Sequence, residues 1–556
     1  MECRLGTGPA IGRSTGNEVV GWPGLEPGTN SLKGYCSTIE LPPHRADAGR
    51  RQTVNLENTT LPGKGLVDSP GPIEGFPPRR PAGRCSPKVP GVPVIKKGVV
   101  THAPSLHSPR PVRTVQLGII GGGTVGGGVY QAILRNGPLM ASRLGIKLEV
   151  RRIVVRNLRK TRAVSVPKEL LTTSWKSVVA DESVDIVVEL MGGTTTAREV
   201  VLAALKAGKP VVTANKALLS AHGEELFAAA AKASVNLYYE ASVAGGIPII
   251  KVLREGLIGN RITRLYGIVN GTCNYILTRM KRERADYAGV LADAQRLGYA
   301  ETPPDLDVDG HDAAHKTGIL ASLAHGFWIQ PEQVHTEGIR GVTQQDIQFA
   351  EKLGYTIKLL GIVKAASGTR HPASGIKHQA SGIQVSVYPA LVPNGHVLAS
   401  VSDVFNAVLV RGDVVGDTLY YGRGAGQDAT ASAVLSDLAD AALDLKCGSH
   451  HRVPCFVSHQ RNGRVLPIED VVSRYYLRLT VVDRPGVMAK VTSVLGRAKI
   501  GISSIIQPEG HQGDTVPLIL MIHDAPNRTM RKALASLAKL SVVKSAPVMI
   551  RVESFE

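Results

Sequence analysis

The sequence predicts an α/β protein in three parts: a doubly wound parallel sheet, an α+β domain after it, and a small ferredoxin-like unit at the C-terminus. Three observations predict this. The pattern Gly121-x-Gly123-x-x-Gly126 falls between an apolar strand and an amphipathic helix. Short apolar runs then alternate with helical stretches as far as residue 243, which implies parallel strands joined by right-handed crossovers. Beyond residue 474 the order becomes strand, helix, two strands, helix, strand, the βαββαβ arrangement of a ferredoxin-like module.

These divisions set the expected domains: an extension over 1–112, a nucleotide domain over 113–245, a catalytic and substrate domain over 246–420, a helix returning to the nucleotide domain over 421–445, a linker over 446–473 and the C-terminal module over 474–556. Residues 1–110 hold 16 of the 34 prolines and no sustained period. The extension is expected to be disordered, since such a segment buries too little apolar surface to offset its ordering entropy.

Composition excludes several classes. A net charge of +19 invites a nucleic-acid reading, but residues 1–110 alone carry 14 Lys/Arg against 8 Asp/Glu, a net of +6, and the other +13 is spread over four times that length. Aromatic residues make up only 4% and no basic stripe is interleaved with them, which is poor equipment for base stacking. No nucleic-acid partner is expected. Six scattered cysteines suit a reducing compartment, and the run Cys447–Cys455 with His450 and His451 lacks a second ligand pair at zinc spacing, so it reads as a surface loop. Without a run of about 18 apolar residues or an N-terminal apolar segment, the expectation is a cytoplasmic protein with no membrane partner.

Ordered sequence begins at Arg113. TVQLGII (114–120) reads as a strand and GGGTVGGGVYQAILR (121–135) as a glycine turn opening a helix. The first glycine permits the turn, the second admits a pyrophosphate to the backbone, and the third lets helix and strand pack closely; the alternative is a purely structural glycine turn. The second strand (148–155) is followed by Arg156, Asn157, Arg159, Lys160 and Arg162. An acid there would repel a ribose 2′-phosphate, whereas guanidinium groups pair with one. This favours NADP(H), with NAD(H) as the alternative cofactor and a solvated basic turn as the plain reading. Residues 184–193 read as a buried strand, 196–207 as a helix, and 209–220 as a strand carrying Thr213, Asn215 and Lys216 toward the cleft. After a helix over 223–233, the strand 236–243 runs into a turn at Gly245, Gly246 and Pro248; Glu240 and the turn's carbonyls are oxygen ligands suited to a hard cation, or simply a turn. Residues 261–277 are strand-like and turn at Asn270-Gly271 into a helix, and 421–445 is a glycine loop opening a long helix, with Gly424 placed at a phosphate or nicotinamide edge.

The stretch GYAETPPDLDVDGHDAAHK (298–316) gathers Glu301, Asp305, Asp307, Asp309 and Asp312 and closes on Lys316. Pro303, Pro304 and Gly310 make its first part a loop, while Asp312 and Lys316, four apart, share a helix face. Like charges at this density need a cation among them: the lysine, a metal, or the ammonium group of a small substrate. The plain alternative is a solvated acidic loop beside an i,i+4 ion pair.

Taken together, VVTANKALLS (211–220), YEASVAGGIPII (239–250), GIVNGTCNYIL (267–277), the acidic stretch, YGRGAGQDATASAV (421–434) and Asp483-Arg484-Pro485-Gly486-Val487 resemble bacterial homoserine dehydrogenase with a C-terminal ACT domain. The resemblance covers 113–556 and implies a Rossmann-type sheet, an α+β catalytic and dimerisation domain, and an ACT module. It implies that Gly121, Gly123, Thr124, Val125 and Gly126 cradle the pyrophosphate, that Arg156 faces the 2′-phosphate, and that Lys216 lies beside the nicotinamide ribose. Glu301 and Asp307 would hold the substrate ammonium, Asp312 would orient the catalytic end, and Lys316 would be the general acid/base. The backbone oxygens of Val243, Gly245 and Ile247, with Glu240, would bind a structural Na⁺. The implied substrates are L-homoserine and L-aspartate 4-semialdehyde, on the route to threonine, methionine and isoleucine. The implied assembly is a homo-oligomer, dimer or tetramer, with threonine as an amino-acid effector at the ACT module near the loops after Asp483 and Gly501. No kinase-like region precedes residue 113, and Pro303 departs from the polar residue usual in the family's loop. The competing readings are another amino-acid-derived substrate, or a non-catalytic nucleotide and amino-acid sensor, against which the pair Lys216 and Lys316 argues.

Overall fold

The computed structural model describes residues 113–365, 382–449, 452–460, 462–508 and 514–555; the extension assigned to 1–112 and the pair His450–His451 lie outside them. Six strands form the first sheet: β1 Arg113–Ile120, β2 Ile146–Val154, β3 Leu171–Thr172, β4 Ile186–Glu189, β5 Val211–Thr213 and β6 Leu237–Tyr238. They lie in the order β3-β2-β1-β4-β5-β6, all parallel. Val115, Leu117 and Ile119 of β1 and Val187 and Val188 of β4 are buried, the continuous apolar character of strands covered on both faces. Winding reverses between β1 and β4, so a crevice opens beyond their C-terminal ends. The Gln427–Cys447 helix packs in this domain's core through Ala431, Val434, Leu438 and Ala441. Tyr238 donates to Asp444 Oδ2 at 2.8 Å and the Glu240 amide to Asp437 Oδ2 at 2.8 Å, fixing it there.

Three predicted strands are shorter than expected; that over 184–193 spans only Ile186–Glu189. The 209–220 strand ends at Thr213; Asn215 accepts from the Leu218 amide at 3.1 Å and caps a helix over Lys216–Ala233. An asparagine whose side chain competes for a backbone N–H ends a strand and starts a helix, so Lys216 stands in a first helical turn. The 236–243 strand likewise stops at Tyr238, and Glu240–Ser242 form a 3₁₀ turn.

The second sheet combines β7 Ile262–Ile268, β8 His335–Thr336, β9 Tyr355–Ala365, β10 Ile383–Pro393, β11 Phe405–Gly412, β12 Gly416–Arg423, β13 Val472–Val482, β14 Ile502–Ile506, β15 Thr515–Pro526 and β16 Val548–Val552. Its order is β12-β11-β7-β9-β10-β16-β13-β15-β14, with β8 beside β10. The last four strands in that path have the ferredoxin-like arrangement expected of the C-terminal module. The module is not hung on a tether, however: β16 pairs in parallel with β10 through Ala390–Arg551 and Leu391–Val552, so one sheet runs through both domains. Ion pairs reinforce the seam, a buried one of Arg478 with Asp346 at 2.6 Å and a half-buried one of Arg551 with Glu337 at 2.7 Å. Within the segment read as a linker, Tyr239 donates to the Cys455 carbonyl at 2.6 Å and Phe456 stacks on Phe227 at 5.6 Å.

Candidate active site

The backbone of the glycine turn has the close approaches that its spacing predicts at Gly121 and Gly126. Gly121 has φ +119°, and a Cβ there would lie 2.5 Å from the Leu190 carbonyl; a Cβ on Gly126 would lie 1.9 Å from the Gly121 carbonyl. Neither position tolerates a side chain. A Cβ on Gly123 would meet nothing within 4 Å, so that face is open to a ligand. Gly123 caps the Thr124–Leu144 helix without a side-chain hydrogen bond, leaving first-turn amides and the positive dipole end directed at the opening. The cleft holds about 560 Å³ and is lined by Gly121–Thr124, Arg156, Asn157, Lys160, Arg162, Met191, Thr196 and Gln427. Arg162 donates to the Lys160 carbonyl at 2.9 Å and the Asn157 carbonyl at 2.5 Å, which shapes the basic turn and leaves exposed Arg156 on the wall. Half-buried Val125 and buried Gly126 are not among the residues that line the cleft. Gly424 also does not line the cleft: it is buried, its would-be Cβ 1.9 Å from the Asn406 side chain, and its carbonyl abuts Gly245. That glycine is required by packing, and Gln427, on the helix that follows, is the residue that reaches the opening.

Beyond the ends of β4 and β5 a polar network that sequence reasoning missed leads away from this cleft. Glu189, fully buried, accepts from Thr213 Oγ1 at 2.7 Å and the Met191 amide at 2.8 Å. Burial pushes its carboxyl above the usual range against those hydrogen bonds. Asn215 donates to the Gly193 carbonyl at 2.7 Å while capping the next helix. The only signals in the sequence were a glutamate ending a strand and a Thr-x-Asn spacing.

That helix presents Lys216 to Asp312. Lys216 Nζ is 2.6 Å from Asp312 Oδ1, and Lys316 Nζ is 2.8 Å from Asp312 Oδ2. Lys316 also donates to the Val269 carbonyl at 2.8 Å. A cation in the first turn of a helix is disfavoured by up to about 2 kcal/mol where it is partly buried, and a carboxylate at contact distance outweighs that even with partial solvent screening. Asp312 is in the first turn of the His311–His325 helix, where the dipole favours a carboxylate. Burial would raise the Asp312 carboxyl, yet the two ammonium groups hold it well below the ordinary range. Burial also lowers the Lys216 amine, but the Asp312 charge prevails and its pKa is raised. For Lys316, only 8% exposed, burial prevails with help from the Lys216 charge, and its pKa is lowered.

The acidic stretch divides. Asp305–Val308 is a single helical turn rather than loop, begun after Pro304, where a proline at a helix start and acids in the first turn are both favoured. Asp307 faces inward: Asn270 Nδ2 donates to Asp307 Oδ1 at 2.8 Å and to Asp312 Oδ2 at 2.9 Å. Burial and the Asp312 charge keep the Asp307 carboxyl raised against that bond. Asn270 was legible only as a turn, yet its Oδ1 also caps the Gly271–Glu283 helix through the Cys273 amide at 2.8 Å. Glu301 is exposed and within electrostatic reach of Lys216. Asp305 and Asp309 turn away to Arg340.

Around the expected cation loop, Glu240 is 2% exposed, and its oxygens accept from the Ile250 amide at 2.9 Å and the Lys251 amide at 2.8 Å. Ala244 and Gly245 both have positive φ, which folds the Val243–Ile247 backbone into a tight turn. The Ile247 carbonyl accepts from the Ile249 amide at 2.8 Å. Burial pushes the Glu240 carboxyl up to about 7 despite its two amides. Among the described residues no group of three or more His, Cys, Asp or Glu side chains is placed to hold a metal, so a cation here would rely on backbone oxygens.

Comparison with known proteins gives three family matches along the chain. The family model described as homoserine dehydrogenase matches residues 248–439, that described as its NAD binding domain matches 121–240, and the ACT domain model matches 475–540. The homoserine dehydrogenases of Pseudomonas aeruginosa and Synechocystis are 43% and 42% identical over 446 residues, covering 80% and 79% of this chain and 99% and 100% of their own. A homoserine dehydrogenase structure from Thiobacillus denitrificans superposes with a TM-score of 0.73 at 45% identity, covering 79% of this chain and 98% of that one. That of Staphylococcus aureus gives 0.61 at 30% identity, with 80% and 99% covered.

Proposed function

The chain belongs to the homoserine dehydrogenase family, and from that premise we propose how its residues carry the reaction. It is an oxidoreductase that works with a nicotinamide nucleotide. The reading is NADP(H)-linked interconversion of L-homoserine and L-aspartate 4-semialdehyde, run toward homoserine in the synthesis of threonine, methionine and isoleucine, in the cytoplasm. The observation that carries it is the Lys216–Asp312–Lys316 cluster, with Asp307 beside it, linked through Asn215 and Gly193 to the nucleotide cleft.

The nicotinamide, when bound, accepts or returns the hydride. In the oxidising direction the substrate hydroxyl must lose a proton as its carbon loses hydride, and Lys316, its amine pKa lowered, takes that proton as the neutral base. Asp312 orients both lysines, and Lys216 stays charged beside the oxygen whose negative charge develops. Asp307 and Glu301 hold the substrate ammonium. The glycine turn and the first amides of its helix hold the pyrophosphate. A steady-state assay with homoserine tests the whole reading; a folded protein that binds NADPH without turnover would reject it.

Arg156 is the residue assigned to the ribose 2′-phosphate. Arg156→Glu is expected to lower the NADP⁺ to NAD⁺ ratio of kcat/KM by about ten- to a hundredfold, the range of a lost charge-assisted bond. A ratio unmoved by the substitution would leave the basic turn as a solvated surface.

The oxygen set of Val243, Gly245, Ile247 and Glu240 suits Na⁺. At fixed ionic strength, replacing choline with Na⁺ is expected to raise Tm by a few degrees, and Glu240→Gln to abolish the difference. An equal response in both proteins would remove Glu240 from any cation site. The ACT module supports an amino-acid effector, threonine, near the loops after Asp483 and Gly501, acting by preferring a less active state. The exposed edge strand β12, with Leu419 and Tyr421 outward, supports a homo-oligomer.

A further inference from the structure

The acidic stretch carries more negative charge than one small ammonium substrate needs, and the structure shows where the surplus goes. Arg340 forms a fork on Asp309, Nε to Oδ1 at 2.5 Å and Nη2 to Oδ2 at 3.1 Å, and the same Nη2 pairs with Asp305. Two of the four aspartates are thereby drawn onto one guanidinium, leaving that group with a single net negative charge. Those left, Asp307 and Asp312, face two lysines and the Asn270 amide.

Arg340 is itself held from behind. The Ile339 amide donates to the Val308 carbonyl at 2.8 Å, and a Cβ on Gly338 would lie 2.2 Å from that carbonyl, so the strap lies flat on the helical turn of the acidic stretch. The Glu337 amide donates to the Val387 carbonyl at 2.7 Å, and its carboxylate bonds Arg551 at 2.7 and 3.1 Å and His335 at 2.8 Å. Within four residues the strap thus joins strand β16 of the C-terminal module to the substrate loop.

We propose that Arg340 is a positioning residue that sets the charge of the substrate site, by withdrawing Asp305 and Asp309 so that the ammonium group finds Asp307 as its partner. This rests on the reading of Asp307 given above. Without Arg340 the two released carboxylates become decoys that capture the ammonium outside reach of Lys316.

The test is steady-state kinetics of the full chain with homoserine and NADP⁺. Arg340→Met is expected to raise KM for homoserine about tenfold, with kcat at saturation and KM for NADP⁺ within about twofold. Asp305→Asn with Asp309→Asn breaks the same ion pairs but leaves no decoy, and is expected to stay within about threefold of the unmodified protein. Adding both to Arg340→Met is expected to bring KM back to that level. The proposal is overturned if the double aspartate variant raises KM as much as Arg340→Met, since the clamp would then be structural only. It is equally overturned if Arg340→Met leaves KM unchanged, raises both KM values together, or is not rescued. Absence of homoserine turnover in the unmodified protein would instead remove the underlying assignment of function.

Discussion

Replacing Lys316 with alanine is expected to lower homoserine turnover by about two to four orders of magnitude, the usual contribution of a positioned general acid/base. Two features favour this residue over its neighbour for the proposed role of base. Its amine is almost fully buried and donates to the Val269 carbonyl and to Asp312, each at 2.8 Å. Its pKa is lowered by burial and by Lys216, whereas that of Lys216 is raised by Asp312. A lysine serves as base only in its neutral form, so the downward shift belongs on the proton acceptor and the upward one on its electrostatic companion. The substitution leaves Asp312 paired with Lys216 at 2.6 Å, so no buried charge is orphaned and the fold should persist. NADPH fluorescence titration would show retained binding, and single-turnover rates would show the loss at the chemical step. Turnover within a few fold of the unmodified protein would take Lys316 out of the mechanism.

What the sequence disclosed, it disclosed through periodicity and through residues that have no substitute. Glycines at 121 and 126 stand where a Cβ would strike a carbonyl, and such positions leave a spacing that reads directly as a turn. The apolar runs of the parallel strands and the βαββαβ order of the C-terminal module were legible for the same reason, since each is imposed by burial on a regular backbone. Short-range competition was harder. Asn215 ends β5 and caps the next helix, a contest between strand propensity and one side-chain hydrogen bond that an apolar run conceals.

Long-range pairing was not legible. Nothing in Glu301–Asp312 says which carboxylates turn inward, because the answer lies in Arg340 and in Asn270, about thirty residues downstream and upstream of the stretch. The continuation of one sheet from β10 into β16 depends on two residue pairs more than 150 positions apart. Gly424 shows the opposite error: a glycine beside a helix start resembles a phosphate turn, yet here it exists to let Asn406 and Gly245 pack.

The second large effect concerns pH, and its sign differs between two neighbours. In the oxidising direction kcat/KM should rise with pH as Lys316 loses its proton, and the acid limb of the profile reports that ionisation in the free enzyme. Asp312 favours the charged ammonium, so Asp312→Asn should move the limb to lower pH, by about one unit or more for a carboxylate at contact distance. Lys216 disfavours that charge, so Lys216→Met should move the limb to higher pH. Because the three groups interact at 2.6 and 2.8 Å, they titrate as a unit and the limb belongs to the cluster. The opposed directions survive that coupling, since one substitution removes a negative and the other a positive charge from beside the same amine. Asp312→Asn should also lower the plateau by at least about a hundredfold, because neither lysine is then oriented. Limbs that move together, or that stay fixed in both variants while the plateau falls, would mean that another group is the base.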